Sequence, residues 1–182
     1  MDTTTHLGDE IKRTGFVCRR CGRCCAGGPE DGNEVMVSPD EIRAIMAATG
    51  LGWDAVAEPY PEFIDDPSGA KYSLAWCLKR TERGCIFFGE DRRCTIYAHR
   101  PSLCRTYPFM LMDGRLCISE CPGLGDGKTN GEEAATIAED LVQRSAMEEK
   151  EFEKTSEVFN DVHLARGDRC VIDSEGVTFL NG

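Results

Sequence analysis

No stretch of this chain approaches the run of about 18 apolar residues that a membrane-spanning helix needs, so no segment is expected to cross a bilayer. The opening residues Met1-Asp2-Thr3-Thr4-Thr5-His6 have neither the basic start nor the apolar run of a secretory signal. Basic charge is in short supply. With 21 Lys and Arg against 32 Asp and Glu, the net charge of -11 argues against nucleic acid as the partner. Histidine is scarcer still, at three residues. His6 and His163 have no partner in the pattern, and His99, beside Arg100-Pro101, reads as a surface or supporting group rather than a metal ligand. The glycine-rich stretch Cys121-Pro122-Gly123-Leu124-Gly125-Asp126-Gly127 lacks the lysine and hydroxyl residue of a phosphate-binding loop. The carboxylates are many but form no pair suited to acid-base catalysis, and no internal repeat is present.

Cysteine, by contrast, is abundant. There are 11, an odd number that cannot all pair within the chain. Together with the lack of a signal, this places the protein in a reducing cytoplasm, where many thiols point to metal rather than to disulfides. The densest stretch is Phe16-Val17-Cys18-Arg19-Arg20-Cys21-Gly22-Arg23-Cys24-Cys25, with the spacing C-x2-C-x2-C-C. A C-x2-C step bends the chain so that two sulfurs can reach one centre, and Gly22 permits the left-handed backbone of such a bend. Adjacent side chains tend to diverge. Cys24 and Cys25 are therefore expected to serve two separate centres, or one of them to be a spare thiol. Arg19, Arg20, Arg23, Arg92, Arg93, Arg100 and Arg105 lie close in sequence to cysteines, where guanidinium groups offset thiolate charge.

Hydrophobic content of 41% and charged content of 29% over 182 residues suit one folded domain, 1-182. The expected fold class is α+β: short strands, hairpins and helices around cysteine-ligated metal, with a helical segment near the C-terminus. Residues 1 to 15 read as polar and mobile at the start. Glu34-Val37 reads as a strand. Ser38, Pro39 and Glu41 mark a capped helix that Gly50 stops. A short helical piece ends at Pro59 and Pro61, and Lys71-Cys77 reads as a strand. Cys85-Phe88 and Cys94-Tyr97 are expected as two strands around Gly89-Arg93, followed by a turn or two of helix over His99-Arg105. Asp113-Gly114 signals a hairpin. Residues 130-166 form a helical segment, as one helix or two, and 169-181 a terminal hairpin around Ser174-Glu175-Gly176.

The later run Cys94-Thr95-Ile96-Tyr97-Ala98-His99-Arg100-Pro101-Ser102-Leu103-Cys104-Arg105 is distinctive. Joined to the first cluster, it resembles the YkgJ-type cysteine-cluster proteins, described as chelating zinc or iron. The family pattern is CxxCxxCC followed by later cysteines and C-x-I-Y-x-x-R-P-x-x-C-R. The resemblance covers residues 16-122, the metal-binding core. It implies a cysteine-ligated centre on Cys18, Cys21, Cys24, Cys25, Cys77, Cys85, Cys94, Cys104 and Cys121. Cys117 and Cys170 match no position in the pattern and read as buried thiols.

This pool exceeds one mononuclear site, and eight thiolates would suit two cubane clusters or two zinc sites. Cys18-x2-Cys21-x2-Cys24 resembles the first ligands of a bacterial ferredoxin, and Cys121-Pro122 its remote Cys-Pro. Cys25 departs from that pattern. The ligand pattern favours one or two iron-sulfur clusters of the 4Fe-4S type, with zinc as the alternative. The expected function is electron transfer or an accessory role to an enzyme system, with a partner protein. The alternatives are a zinc-stapled interaction module and a metal-transfer protein. An enzyme is the third reading, as an iron-sulfur oxidoreductase component or a methyltransferase. Some flagellin lysine methylases carry a related cysteine region, but no S-adenosylmethionine-binding glycine motif and no catalytic motif is identified here, so methyltransfer ranks last.

Overall fold

The computed structural model describes residues 3–27, 32–125 and 127–180. The fold is α+β, and the chain's contacts divide it into two compact units. Met1–Cys21 and Arg100–Glu148 make up the first, and Gly22–His99 and Glu149–Gly182 the second.

The first unit is built on helices α1 (Thr3–Arg13) and α4 (Ser102–Thr106), the hairpin β8 (Phe109–Met112) and β9 (Arg115–Ile118), and the early part of α5 (Gly131–Asp161). The expected mobile start is instead α1. Only Leu7 and Ile11 of this helix are buried, at i and i+4 on one face, in a segment that is otherwise polar and short of apolar residues. Tertiary packing rather than pattern holds it: Leu7 and Ile11 join Phe16, Phe109, Ala134, Ile137, Ala138 and Leu141 in one core. Phe16 meets Phe109 edge-on with ring centroids 5.2 Å apart. The β8–β9 hairpin turns at Asp113-Gly114, as its sequence predicts, and pairs Met112 with Arg115.

Helix α4 is tied to α5 by side chains. The buried Arg144 guanidinium donates through Nη1 to Thr106 Oγ1 at 3.0 Å and through Nε to Glu148 at 2.7 Å. Arg105 of α4 lies 3.5 Å from Asp140. These contacts fix the short helix that carries Cys104.

The second unit contains β1 (Met36–Val37), α2 (Pro39–Thr49), α3 (Trp53–Val56), β2 (Ala57–Pro59), β3 (Ile64–Asp65), β4 (Lys71–Ser73), β5 (Trp76–Leu78), β6 (Arg80–Thr81), β7 (Gly84–Cys85), β10 (Arg169–Asp173) and β11 (Gly176–Phe179). One sheet runs β1-β5-β2, another β11-β10-β4-β3, and β6 pairs with β7. The sequence read as one strand over Lys71-Cys77 is two strands in two different sheets. Parallel pairing of β10 with β4 brings the terminal hairpin onto the middle of the chain, and Cys170, Ile172 and Tyr72 pack there with Val158, Val162 and Leu164.

Helix α2 matches its sequence signals in detail. Ser38 accepts from the Glu41 N–H at 3.3 Å, Glu41 returns the bond to the Ser38 N–H at 3.1 Å, and Gly50 closes the far end. Ile42 and Ile45 face inward. Ser38→Ala removes one half of this box and is expected to cost about 1 kcal/mol, read as a fall in the urea midpoint at unchanged slope. An unaltered midpoint would refute the cap's contribution.

Candidate metal centre

The cysteine loop enters the second unit at Gly22, where the backbone is left-handed with φ of 72°. A Cβ there would lie 2.4 Å from the Arg92 carbonyl oxygen and 2.5 Å from Phe88, so glycine is needed for both conformation and space. From Gly22 the chain coils. Its carbonyl accepts from Cys25 N–H at 3.0 Å and from Ala26 N–H at 2.9 Å. That coil is why the expectation of diverging sulfurs does not hold. On an extended chain neighbouring side chains point to opposite faces, but in a helical turn they are separated by roughly 100°. Cys24 Sγ and Cys25 Sγ lie 3.7 Å apart, at the surface.

The next step docks this turn onto β7. Cys85 N–H donates to the Cys25 carbonyl at 2.9 Å, and Ala26 forms an antiparallel bridge with Gly84. Gly84 has φ of 127°, and a Cβ on it would stand 2.1 Å from the Cys25 carbonyl oxygen. The chain beyond Cys85 does not form the two expected strands. Phe88 N–H closes a turn on the Cys85 carbonyl at 2.8 Å, a single bridge links Phe88 to Cys94, and Tyr97–His99 is a 3-10 turn. The result is a compact loop with Cys94 across from Phe88. Burial pushes the Cys85 thiol up, the backbone N–H of Phe87 opposes that, and the nearby Cys94 and Cys24 sulfurs raise it further. Cys24, Cys25, Cys85 and Cys94 thus belong to one neighbourhood of the second unit.

Two residues that support this neighbourhood gave no sequence signal of their own. Arg80 is buried and donates to the carbonyls of Asn33 at 2.6 Å and Gly27 at 2.7 Å, strapping the chain that leaves the cysteine turn. Gly84 is the other. Its place directly before Cys85 was the one available clue.

Cys77 lies elsewhere in the unit. It is the central residue of β5, buried, with its sulfur near the carbonyls of Glu58 at 3.6 Å and Pro59 at 3.8 Å. Burial, with help from Glu58 and Glu34 and against Arg80, pushes its pKa up to about 12. Cys170 is buried in β10, and its pKa is also raised by burial.

In the first unit, Cys18 and Cys21 are exposed, while Cys104, Cys117 and Cys121 are partly buried. Val17 N–H donates to the Gly123 carbonyl at 2.9 Å, which joins the start of the cysteine loop to the Cys121-Pro122-Gly123 turn. The Cys121 sulfur accepts from Gly123 N–H at 3.4 Å. Cys104 sits on α4 and Cys117 opposite Met110 in the β8–β9 hairpin.

The donor chemistry is soft and suits zinc or iron. Two thiolates about 2.3 Å from one tetrahedral ion stand about 3.8 Å apart, which the Cys24–Cys25 separation matches. In a 4Fe-4S cluster each iron takes its own cysteine, so neighbouring ligands stand farther apart. The pair therefore fits two positions of a single-ion site. Among the described residues no group of three His, Cys, Asp or Glu side chains is gathered closely enough to hold an ion as it stands. No helix is long and apolar enough to cross a membrane among those residues.

Compared with known families, residues 17–156 match the model of CxxCxxCC, described as "Putative zinc- or iron-chelating domain". No solved structure matches the chain.

Proposed function

The chain belongs to the CxxCxxCC family, and from that premise we propose that it is a metal-thiolate protein with two four-cysteine sets serving a partner protein in the cytoplasm. The first set is Cys24, Cys25, Cys85 and Cys94, all within the second unit. It holds a single zinc or iron ion, and the observation that carries this reading is the 3.7 Å between adjacent sulfurs. The second set is Cys18, Cys21, Cys104 and Cys121, all within the first unit. The Gly123 N–H bond to the Cys121 sulfur, directly after Cys121-Pro122, supports an iron-sulfur cluster on this set.

A bound cluster would supply one-electron chemistry. The residues of this chain hold the thiolates, donate backbone N–H groups to them and place Arg23, Arg92 and Arg93, all exposed, close in sequence to the first set. Exposure of Cys18, Cys21 and Cys24 suits exchange of electrons or metal with a docked partner. In the zinc reading the same exposed cysteines staple a docking surface instead.

The absorption spectrum and inorganic sulfide content of anaerobically purified protein test the assignment. Visible charge-transfer bands with bound sulfide support the electron-transfer role. A colourless, sulfide-free zinc protein would leave chelation intact and remove that role. Cys77 is assigned to packing, so Cys77→Ala is expected to keep the full metal content of the wild type by elemental analysis. Loss of metal in that variant would return Cys77 to the ligand set.

A further inference from the structure

Two sheet edges of the second unit border one open groove of about 810 Å³. One is β2, the outer strand of β1-β5-β2, and the other is β11, the outer strand of β11-β10-β4-β3. The backbone register of β11 can be read from its partners. Asp173 pairs with Gly176 across the hairpin, Val171 with Thr178, and Leu180 N–H donates to the Arg169 carbonyl at 2.7 Å. The groups of Gly176, Thr178 and Leu180 therefore turn toward β10, while the N–H and C=O of Val177 and Phe179 turn toward the outer edge. An outer edge with unspent donors and acceptors is a template for another strand.

The walls of the groove define what such a strand would carry. Trp53 and Trp76 stand edge-to-face with centroids 5.4 Å apart, and Trp76 Nε1 donates to the buried Asp173 at 2.8 Å. Asp54, Glu58, Asp173 and Glu175 also line the groove, against Lys79 alone. Arg43 pairs with Glu175, which leaves three carboxylates against one ammonium. A second copy of this chain, at net charge -11, is a poor occupant of an acidic groove. A basic partner is a good one.

We propose that the groove between β2 and β11 docks an extended, lysine- or arginine-bearing segment of a partner protein, which adds as a strand to the β11 edge. Backbone bonds to Val177 and Phe179 set the register, alternate side chains of the segment enter the groove, and their cations face Asp54 and Glu58. This inference is independent of the metal assignment.

The test uses the full metal-loaded chain and a fluorescently labelled ten-residue peptide of alternating lysine and valine. Glutamate-valine and proline-interrupted lysine-valine versions serve as controls, read by anisotropy at two salt concentrations. The lysine-valine peptide is expected to bind at least tenfold more tightly than either control, and to weaken with salt. Asp54→Lys should lower its affinity at least fivefold, while Glu153→Lys, the same charge change on exposed α5, should lower it less than twofold. Phe179→Pro removes an outward N–H and should also weaken binding, with circular dichroism confirming its fold. Equal losses from Asp54→Lys and Glu153→Lys would reduce the effect to net charge and overturn the proposal. So would equal binding of the proline-interrupted peptide, no binding at all, or a dimer that occupies the groove.

Discussion

Cys24→Ser and Cys25→Ser are each expected to remove the same metal ion, and the double variant to remove no more than either alone. The physical basis is the coil begun at Gly22, which places the two sulfurs 3.7 Å apart, the spacing of two thiolates on one tetrahedral ion. Removing either ligand opens a coordination position on a soft metal that serine oxygen fills poorly. The two losses are therefore alternatives and do not add. The measurement is metal per chain by elemental analysis, at matched protein concentration and with the second set intact. Two ligands of two different centres would give additive losses. A spare thiol would give one variant with unchanged metal. Either result would contradict the shared-ion assignment.

The second large effect is expected from Gly84→Ala. An added methyl would meet the Cys25 carbonyl oxygen at 2.1 Å, where a hydrogen bond from Cys85 holds that oxygen in place. The obstacle is backbone, so no side-chain rotation relieves it. The φ of 127° is itself one that an L side chain rarely adopts. Strain and displacement together are expected to cost about 3 kcal/mol or more. Because the displaced element is the cysteine turn, metal should be lost along with stability. Chemical denaturation and metal analysis of the variant check both. A variant with wild-type metal and a midpoint shifted by less than the equivalent of about 1 kcal/mol would show that the Cys25–Cys85 contact does not build the centre.

Some elements were readable from the residues alone, for a local reason in each case. Helix α2 is punctuated at both ends, by Ser38-Pro39 with Glu41 and by Gly50, so the cap geometry follows from residue chemistry. The hairpins at Asp113-Gly114 and at Ser174-Glu175 needed only turn residues between apolar runs. Helix α1 was not readable, because a helix that contributes only Leu7 and Ile11 to a core depends on partners distant in sequence. The 85–97 stretch has strand-like composition, yet the turn after Cys85 and the 3-10 turn at Tyr97–His99 spend its hydrogen bonds locally.

The candidate centre divides in the same way. Cysteine spacing identified the thiolate chemistry and the family before any fold was known. It could not foresee that a left-handed Gly22 turns Cys24 and Cys25 to one side, nor that Cys77 lies in mid-sheet with its sulfur beside two carbonyls. Both facts depend on backbone geometry that spacing does not encode. The long helix illustrates a similar gap. Its weak middle around Glu148-Glu149-Lys150-Glu151 left one helix or two open, and α5 runs unbroken from Gly131 to Asp161.

The most direct test of a single-ion centre at Cys24 and Cys25 is metal and acid-labile sulfide analysis of anaerobically purified Cys18→Ser/Cys121→Ser protein, in which the other thiolate set is disabled. A single-ion centre predicts about one zinc or iron per chain, bound without inorganic sulfide. Sulfide retained in proportion to iron would mean that the remaining set holds a cluster, and absence of stoichiometric metal would mean that it holds no centre of its own. Either result would contradict the account.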